Sequence, residues 1–314
     1  MEINECSAEV WDNFVDQSPQ GIILNKSFVL NSYALPVVYL MCKKGDEHVA
    51  GLEFVQGPEG IKLLPHQHVN GIIFKDLKGL KQYTRNETIF YVLEAFALYL
   101  FERYPLVGFN FHWDISDMRA FDWVNYHERS KGYYETTVKY TSFVDISNPT
   151  DTSEYAHKRR IPDLKKGIKE GHVYHTRETK DIDLLNRLVG MNFERQGIDR
   201  TENQIKYLYQ ICENLLKHSA ARIFVTSMNE EPTVATCFAF DKHRAYYLFV
   251  GTDVKFRDWG VDTKNFYESC LMLNREQQIN EIDMVGINSP LRASYKLSFG
   301  GRIVPYFCVR KIMP

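Results

Sequence analysis

Residues 286–301 read GINSPLRASYKLSFGG, and the parsing of this stretch decides the fold. It overlaps the end of an apolar run, EIDMVGI (281–287), which predicts a buried strand. Asn288, Ser289 and Pro290 then interrupt the run. A short helix follows, carrying one tyrosine, Tyr295, and one lysine, Lys296. Gly300 and Gly301 end it, and GRIVPYFCVRK (301–311) reads as a last strand.

Working back, DTKNFYESCLMLNREQQI (262–279) predicts a helix. ARIFVTSM (221–228), TVATCFAF (233–240) and RAYYLFVGT (244–252) predict three strands joined by short turns. TENQIKYLYQICENLLKHSA (201–220) predicts a helix, with Thr201 and Gln204 spaced as a capping box. DIDLLNRLVGMNFERQGI (181–198) predicts another, and a basic stretch, HKRRIPDLKKGIKEG (157–171), precedes it.

The first half follows a similar plan. SAEVWDNFVDQSP (7–19) predicts a helix led by Ser7, with Val10, Trp11, Phe14 and Val15 as its apolar stripe. Residues 35–65 alternate apolar runs with Gly, Asp and Pro, the pattern of a strand meander. TRNETIFYVLEAFALYLFERYP (84–105) predicts a long helix ended by Pro105. LVGFNFHWDI (106–115) and GYYETTVKYTSFVDI (132–146) predict strands. The polar, turn-rich NPTDTSEY (148–155) marks a boundary, giving domains 1–148 and 149–314. The fold class is α+β: two similar units in tandem, with mixed, mostly antiparallel sheets flanked by helices.

A chain of 314 residues suits two domains of ordinary size. Its net charge of −2 creates no field drawing it to nucleic acid. No run approaches the ~18 apolar residues of a membrane span. The acidic start, MEINECSAEVWDNF, lacks a signal-peptide core, so a cytoplasmic protein is expected. Six scattered cysteines without CxxC spacing argue against zinc and for reduced thiols. A homo-oligomer is compatible with the sequence.

The order strand–helix–strand followed by Asn288 and, seven residues on, Tyr295 resembles the GNAT acyltransferase superfamily. Wider pieces resemble FemAB-type proteins, which are tandem GNAT folds. They are LLPHQHVNGIIF (63–74), residues 119–146, HKRRIPDLKKGIKEGHVY (157–174) and YKLSFGGRIVPYF (295–307). The resemblance implies that acyl-CoA lies between two splayed strands, touching Phe249, Val250 and Gly251. It also implies that Gly260, Asn288 and Ser289 contact CoA, and that Tyr295 protonates the departing thiolate. KFRDWGVDT (255–263) departs from the family, lacking its glycine-rich pyrophosphate loop and keeping only Gly260. No charged heptad insert interrupts the second half.

The bland readings stand beside these. Tyr295 also fits a core aromatic, and Lys296 a solvated helix residue rather than a phosphate ligand. FNFHWDISD (109–117) is either a polar loop around one buried Trp or a base and an aromatic platform. In the second reading Asp114 is the base of first choice and His112 of second, because an attacking amine must be deprotonated. Trp113 then lines the substrate. His66 and His68 could bind substrate or be plain loop polarity; no third ligand accompanies them, so no metal is expected. Arg195 matches a FemAB-type position near the cleft. Lys158, Arg159 and Arg160 read as a solvated face.

These readings imply an acyl-CoA-dependent N-acyltransferase. Its acceptor would be the amine of a nucleotide-linked amino sugar for surface polysaccharide synthesis. One alternative is FemAB-type aminoacyl transfer from tRNA to a peptidoglycan precursor. The other is a non-catalytic GNAT-like module binding CoA or carbohydrate.

Overall fold

The computed structural model describes residues 1–61, 63–148 and 160–314. The predicted boundary segment, with Lys158 and Arg159, lies outside the described residues. The chain divides into two compact units, one of Met1–Lys139 with Pro305–Pro314, the other of Tyr140–Val304.

In the first unit, β1 (Glu2–Glu5) pairs antiparallel with β2 (Val37–Lys44), and β2 with β3 (Glu47–Gly57). β3 also pairs with β4 (Gly60–Ile61) and β5 (Gly71–Phe74). Helix α1 (Ala8–Gln17) starts where Ser7 accepts a hydrogen bond from the Val10 N–H, and it buries Trp11, Phe14 and Val15. That is the predicted cap, and three of the four predicted stripe residues. A single turn, α2 (Ser27–Leu30), precedes the meander. Helix α3 (Gln82–Arg103) buries Val92, Leu93, Phe96 and Leu100 and stops before Pro105. β6 (Gly108–Asn110), a short helix α4 (Arg119–Asp122) and β7 (Tyr133–Asp145) follow. The core gathers Phe54, Phe96, Phe109, Phe111 and Phe121.

The second unit contains α5 (Arg160–Lys169), β8 (Tyr174–Thr179), α6 (Ile182–Glu194) and α7 (Glu202–Lys217). Thr201 and Gln204 form the predicted reciprocal capping box of α7. Then come β9 (Ala221–Met228), β10 (Glu231–Phe240), β11 (Ala245–Thr252), α8 (Val261–Gln277), β12 (Glu281–Asp283), α9 (Pro290–Leu297) and β13 (Arg302–Ile312). The sheet order is β7-β12-β11-β10-β9-β8. Every pairing in this series is antiparallel except β11 with β12. Phe224, Phe238, Phe266, Phe299 and Leu273 form its core.

Two readings are corrected. The strand predicted over 281–287 is only three residues long. Val285 and Gly286 take left-handed φ values of 52° and 77°, which strand pairing cannot accommodate. The last strand was assigned wholly to the second half, yet from Pro305 onward it belongs to the first unit, where Cys308 pairs with Asn110 of β6. All six cysteines are unbonded and five are buried.

Candidate active site

The parallel pair β11–β12 is in register at two positions only, Ala245 with Ile282 and Tyr246 with Asp283. Beyond them the strands part. Among the described residues, β11 has no strand partner on that edge from Tyr247 to Thr252. Leu248 is an extra residue in the register with β10, a bulge that re-aims the strand where the gap begins. The opposite arm turns away because residues 284–287 bond to β7. Met284 N–H donates to Ser142 O (2.9 Å), and Ile287 N–H to Tyr140 O (2.9 Å). Backbone groups on such an open edge can hold an extended polar ligand.

Helix α8 follows the open arm. Gly260 precedes it at φ 66°, a left-handed conformation that suits glycine. In place of a glycine-rich loop stands a 3₁₀ turn, Val254–Trp259. The first turn of α8 also holds a carboxylate, Asp262. Its Oδ2 accepts from Arg160 Nη1 at 2.8 Å, and both side chains are largely buried. Arg160, read from sequence as part of a solvated face, is therefore an internal ligand. Its Nε also donates to Ser298 Oγ (2.7 Å), and its guanidinium lies 4.4 Å from the Tyr295 ring centre.

Tyr295 is half-buried, and its hydroxyl lies 3.0 Å from that of Tyr247, which is 2 % exposed. Tyr247 is the first residue of β11 beyond its last pairing with β12. The two phenols thus come together beside the fork. Burial holds both well above the ordinary phenol range, so each keeps its proton at neutral pH.

Lys296 faces the other arm. Its ammonium donates to three carbonyls, those of Met284, Val285 (3.1 Å) and Gly286 (3.0 Å). That uses all three donors. In this geometry Lys296 clamps the turned loop. Burial pushes its pKa down to about 8, against the pull of Asp283. Asn288 is also engaged. Its Oδ1 accepts from the Tyr140 N–H (2.7 Å) and its Nδ2 donates to the Tyr140 carbonyl (3.0 Å), standing in for a strand partner. Ser289 is the N-cap of α9, without a side-chain capping bond.

Phe249 is buried, and Val250 offers its carbonyl to Asn192 Nδ2 at 3.2 Å. Gly251 serves packing: a Cβ there would stand 2.1 Å from the backbone of Leu188 and Val189, so only glycine lets α6 lie against β11. Arg195 caps the end of α6 and is exposed. Partial burial and the nearby charge of Arg257 pull its pKa down.

In the first unit, the His112 and Trp113 rings lie tilted at 38° with centroids 4.0 Å apart, and the His68 ring lies 6.2 Å from that of Trp113 and 5.5 Å from that of Tyr306. His112 is buried and its Nδ1 accepts from the Asp114 N–H (3.2 Å), which puts the neutral ring's proton on Nε2. Asp114 is exposed, with Oδ2 3.7 Å from His112 Nδ1. Nδ1 of His112 is thus engaged, while Asp114 presents its carboxylate at the surface. His66 sits in the same loop at φ 70°. Beneath them Asn110 Nδ2 donates to His68 O (2.7 Å), and Asn70 and Asn110 exchange backbone and side-chain bonds. Nothing in the sequence singles out Asn70, Asn110, Tyr306, Tyr247 or Asp262, and it marks Arg160 only as part of a basic stretch. Among the described residues no cluster of three or more His, Cys, Asp or Glu could hold a metal ion, and no helix is long and apolar enough to cross a membrane.

Residues 157–296 match the family of the acetyltransferase (GNAT) domain. The whole chain superposes on FemX with a TM-score of 0.66 at 13% identity, covering 98% of this chain and 97% of that one. A conserved protein of unknown function from Bacteroides thetaiotaomicron gives 0.64 at 12% identity, covering 99% of each chain. L-PGS from Bacillus licheniformis gives 0.54 at 13% identity, covering 98% of this chain and 92% of that one. No curated protein sequence matches. Residues 157–296 thus carry the likeness to a GNAT acetyltransferase domain, and the chain as a whole shares the fold of FemX.

Proposed function

We propose that the protein is an acyl-CoA-dependent N-acyltransferase acting on an amine borne by a phosphate-containing carrier. A nucleotide-linked amino sugar is the acceptor class that suits it best. The observation that supports the reading is the fork of β11 and β12 with the phenol of Tyr295 beside it. A thioester carbonyl in the fork would meet strand N–H donors that stabilise the oxyanion. Tyr295, protonated at neutral pH, would give its proton to the leaving sulfur. Arg195, with the charge of Arg257 acting on it, would offer positive charge to the phosphate.

One observation favours a different donor. The first turn of α8 lacks a glycine-rich loop and carries Asp262, where a pyrophosphate would otherwise meet a helix N-terminus. An aminoacyl-tRNA donor makes no such demand. The test offers acetyl-CoA and other acyl-CoAs with a panel of nucleotide-linked amino sugars, against charged tRNA with peptidoglycan precursors. Release of free thiol with a matching mass gain on the sugar supports the first reading. Turnover only with charged tRNA sinks it, and tight CoA binding without turnover on any acceptor would make the chain a binding module.

A further inference from the structure

The loop after β12 spends its main chain on groups other than β11. Met284 and Ile287 N–H donate to Ser142 O and Tyr140 O of β7 (2.9 Å each). Val285 N–H donates to Asp283 Oδ1 (2.8 Å), and Gly286 N–H to Thr141 Oγ1 (3.1 Å). The Thr141 hydroxyl in turn donates to Asp283 Oδ1, and both of these side chains belong to fully buried residues. The carbonyls of Met284, Val285 and Gly286 all face the Lys296 ammonium. No amide of 284–287 and no carbonyl of 284–286 is therefore turned to the open edge of β11.

Val285 opposes this winding. It is β-branched, yet it holds φ 52°, where such side chains are strained, and its own preference is for a strand. Ile287 also meets Tyr140 one residue out of the register that pairs Asp283 with Phe143, so the loop carries a residue more than a straight strand needs. Three carbonyls aimed at one point repel each other unless a cation sits among them. Without the cation they become acceptors lacking a donor. The nearest backbone donors to relieve them are the amides on the open edge of β11, and reaching these lets Val285 return to an extended conformation. We infer that Lys296 is a positioning residue that keeps the fork open: its ammonium winds residues 284–286 away from β11, and without it β12 extends and pairs along Tyr247–Thr252. The inference rests on the fork being the donor site of the proposed reaction. Lys296 acts on the donor through the loop, by setting the width of the slot.

The test uses the full chain, perdeuterated and labelled with nitrogen-15, without ligand. Amide-to-amide nuclear Overhauser contacts between 247–252 and 284–287 are absent while the fork is open. They emerge when the strands pair, because paired strands lie only about 4.8 Å apart. Lys296→Met should show these contacts, with the Val285 carbon shifts moving to the extended range. Calorimetry should then find acetyl-CoA bound about tenfold more weakly, as for a slot open in roughly one molecule in ten. Lys296→Arg keeps a cation and should show neither change. Lys296→Gln keeps two donors and should show both changes more weakly, so the test stands even if Lys296→Met does not fold. A lysine that only stabilises the loop predicts the opposite, a looser loop with no new contacts. New contacts missing from both neutral variants, or equally strong in Lys296→Arg, overturn the inference. If the neutral variants close and wild type does not bind acetyl-CoA, the positioning role stands and the proposed donor fails. If wild type binds acetyl-CoA and the neutral variants stay open, only the present inference fails.

Discussion

Each unit threads a polar chain through its apolar core, and the two chains are built from different groups. In the first unit the chain is amide and carboxyl. Asn25 Nδ2 donates to Glu53 Oε1 (3.1 Å) and to Val69 O (2.9 Å), and Lys139 Nζ reaches Asn110 Oδ1 (3.1 Å). Glu53 is 1 % exposed, and burial lifts its pKa well above the usual carboxylate range, against the amide bonds of Asn25 and Asn70. In the second unit the groups are mostly hydroxyls: Tyr295 with Tyr247, and Thr236, Thr226 and Thr176 joined through Asn265. An amide has fixed donor and acceptor ends, whereas a hydroxyl is both at one atom and can reverse. The first chain can only hold a loop in place. The second can also respond to a proton leaving one end.

The sharpest way to break this contrast is Tyr295→Phe. It should lower kcat by ~100-fold or more while CoA affinity, measured by calorimetry, stays nearly constant. Unchanged kcat would make the second chain as static as the first. Lys296→Met should cost about 2–3 kcal/mol of stability in urea unfolding, because three convergent carbonyls lose their cation. Asp114→Asn should lower kcat/KM about tenfold at neutral pH, with partial recovery at high pH where free amine is abundant. His112→Asn should lose less; the reverse ranking would give the role of base to the imidazole.

Glu53→Gln is the smallest and tests the first chain. A carboxyl whose folded pKa is raised holds its proton where the unfolded chain has lost it. The folded state then binds more protons, and stability falls as pH rises above the ordinary glutamate range of about 4.3. The substitution should flatten that part of the Tm–pH curve and raise stability at neutral pH by about 1 kcal/mol. A parallel curve for mutant and wild type would mean Glu53 ionises normally.

The elements were largely legible. Thr201 with Gln204, Ser7 before α1 and Pro105 after α3 are local signals, and each set an end of a helix. The order of strands and helices followed from period alone. The fate of the last strand was not legible, because the pairing of Cys308 with Asn110 spans most of the chain. The site was half legible. Tyr295 is picked out by its distance from Asn288, but the contacts of its neighbour Lys296 are not legible, because its carbonyl partners converge only once Val285 and Gly286 turn left-handed. Tyr247 is hidden in an apolar strand, since nothing local distinguishes one core phenol from another.

The parting of β11 and β12 leaves a strand edge inside a sheet, and that edge can act as a reporter. Amide hydrogens of Tyr247–Thr252 that point into the fork have no strand to shield them, so they should trade with deuterium faster than those paired to β10. Any molecule that lies in the fork would slow that trade. Peptide mapping of 245–252 after deuterium labelling would therefore detect a bound donor of either class before any product is known.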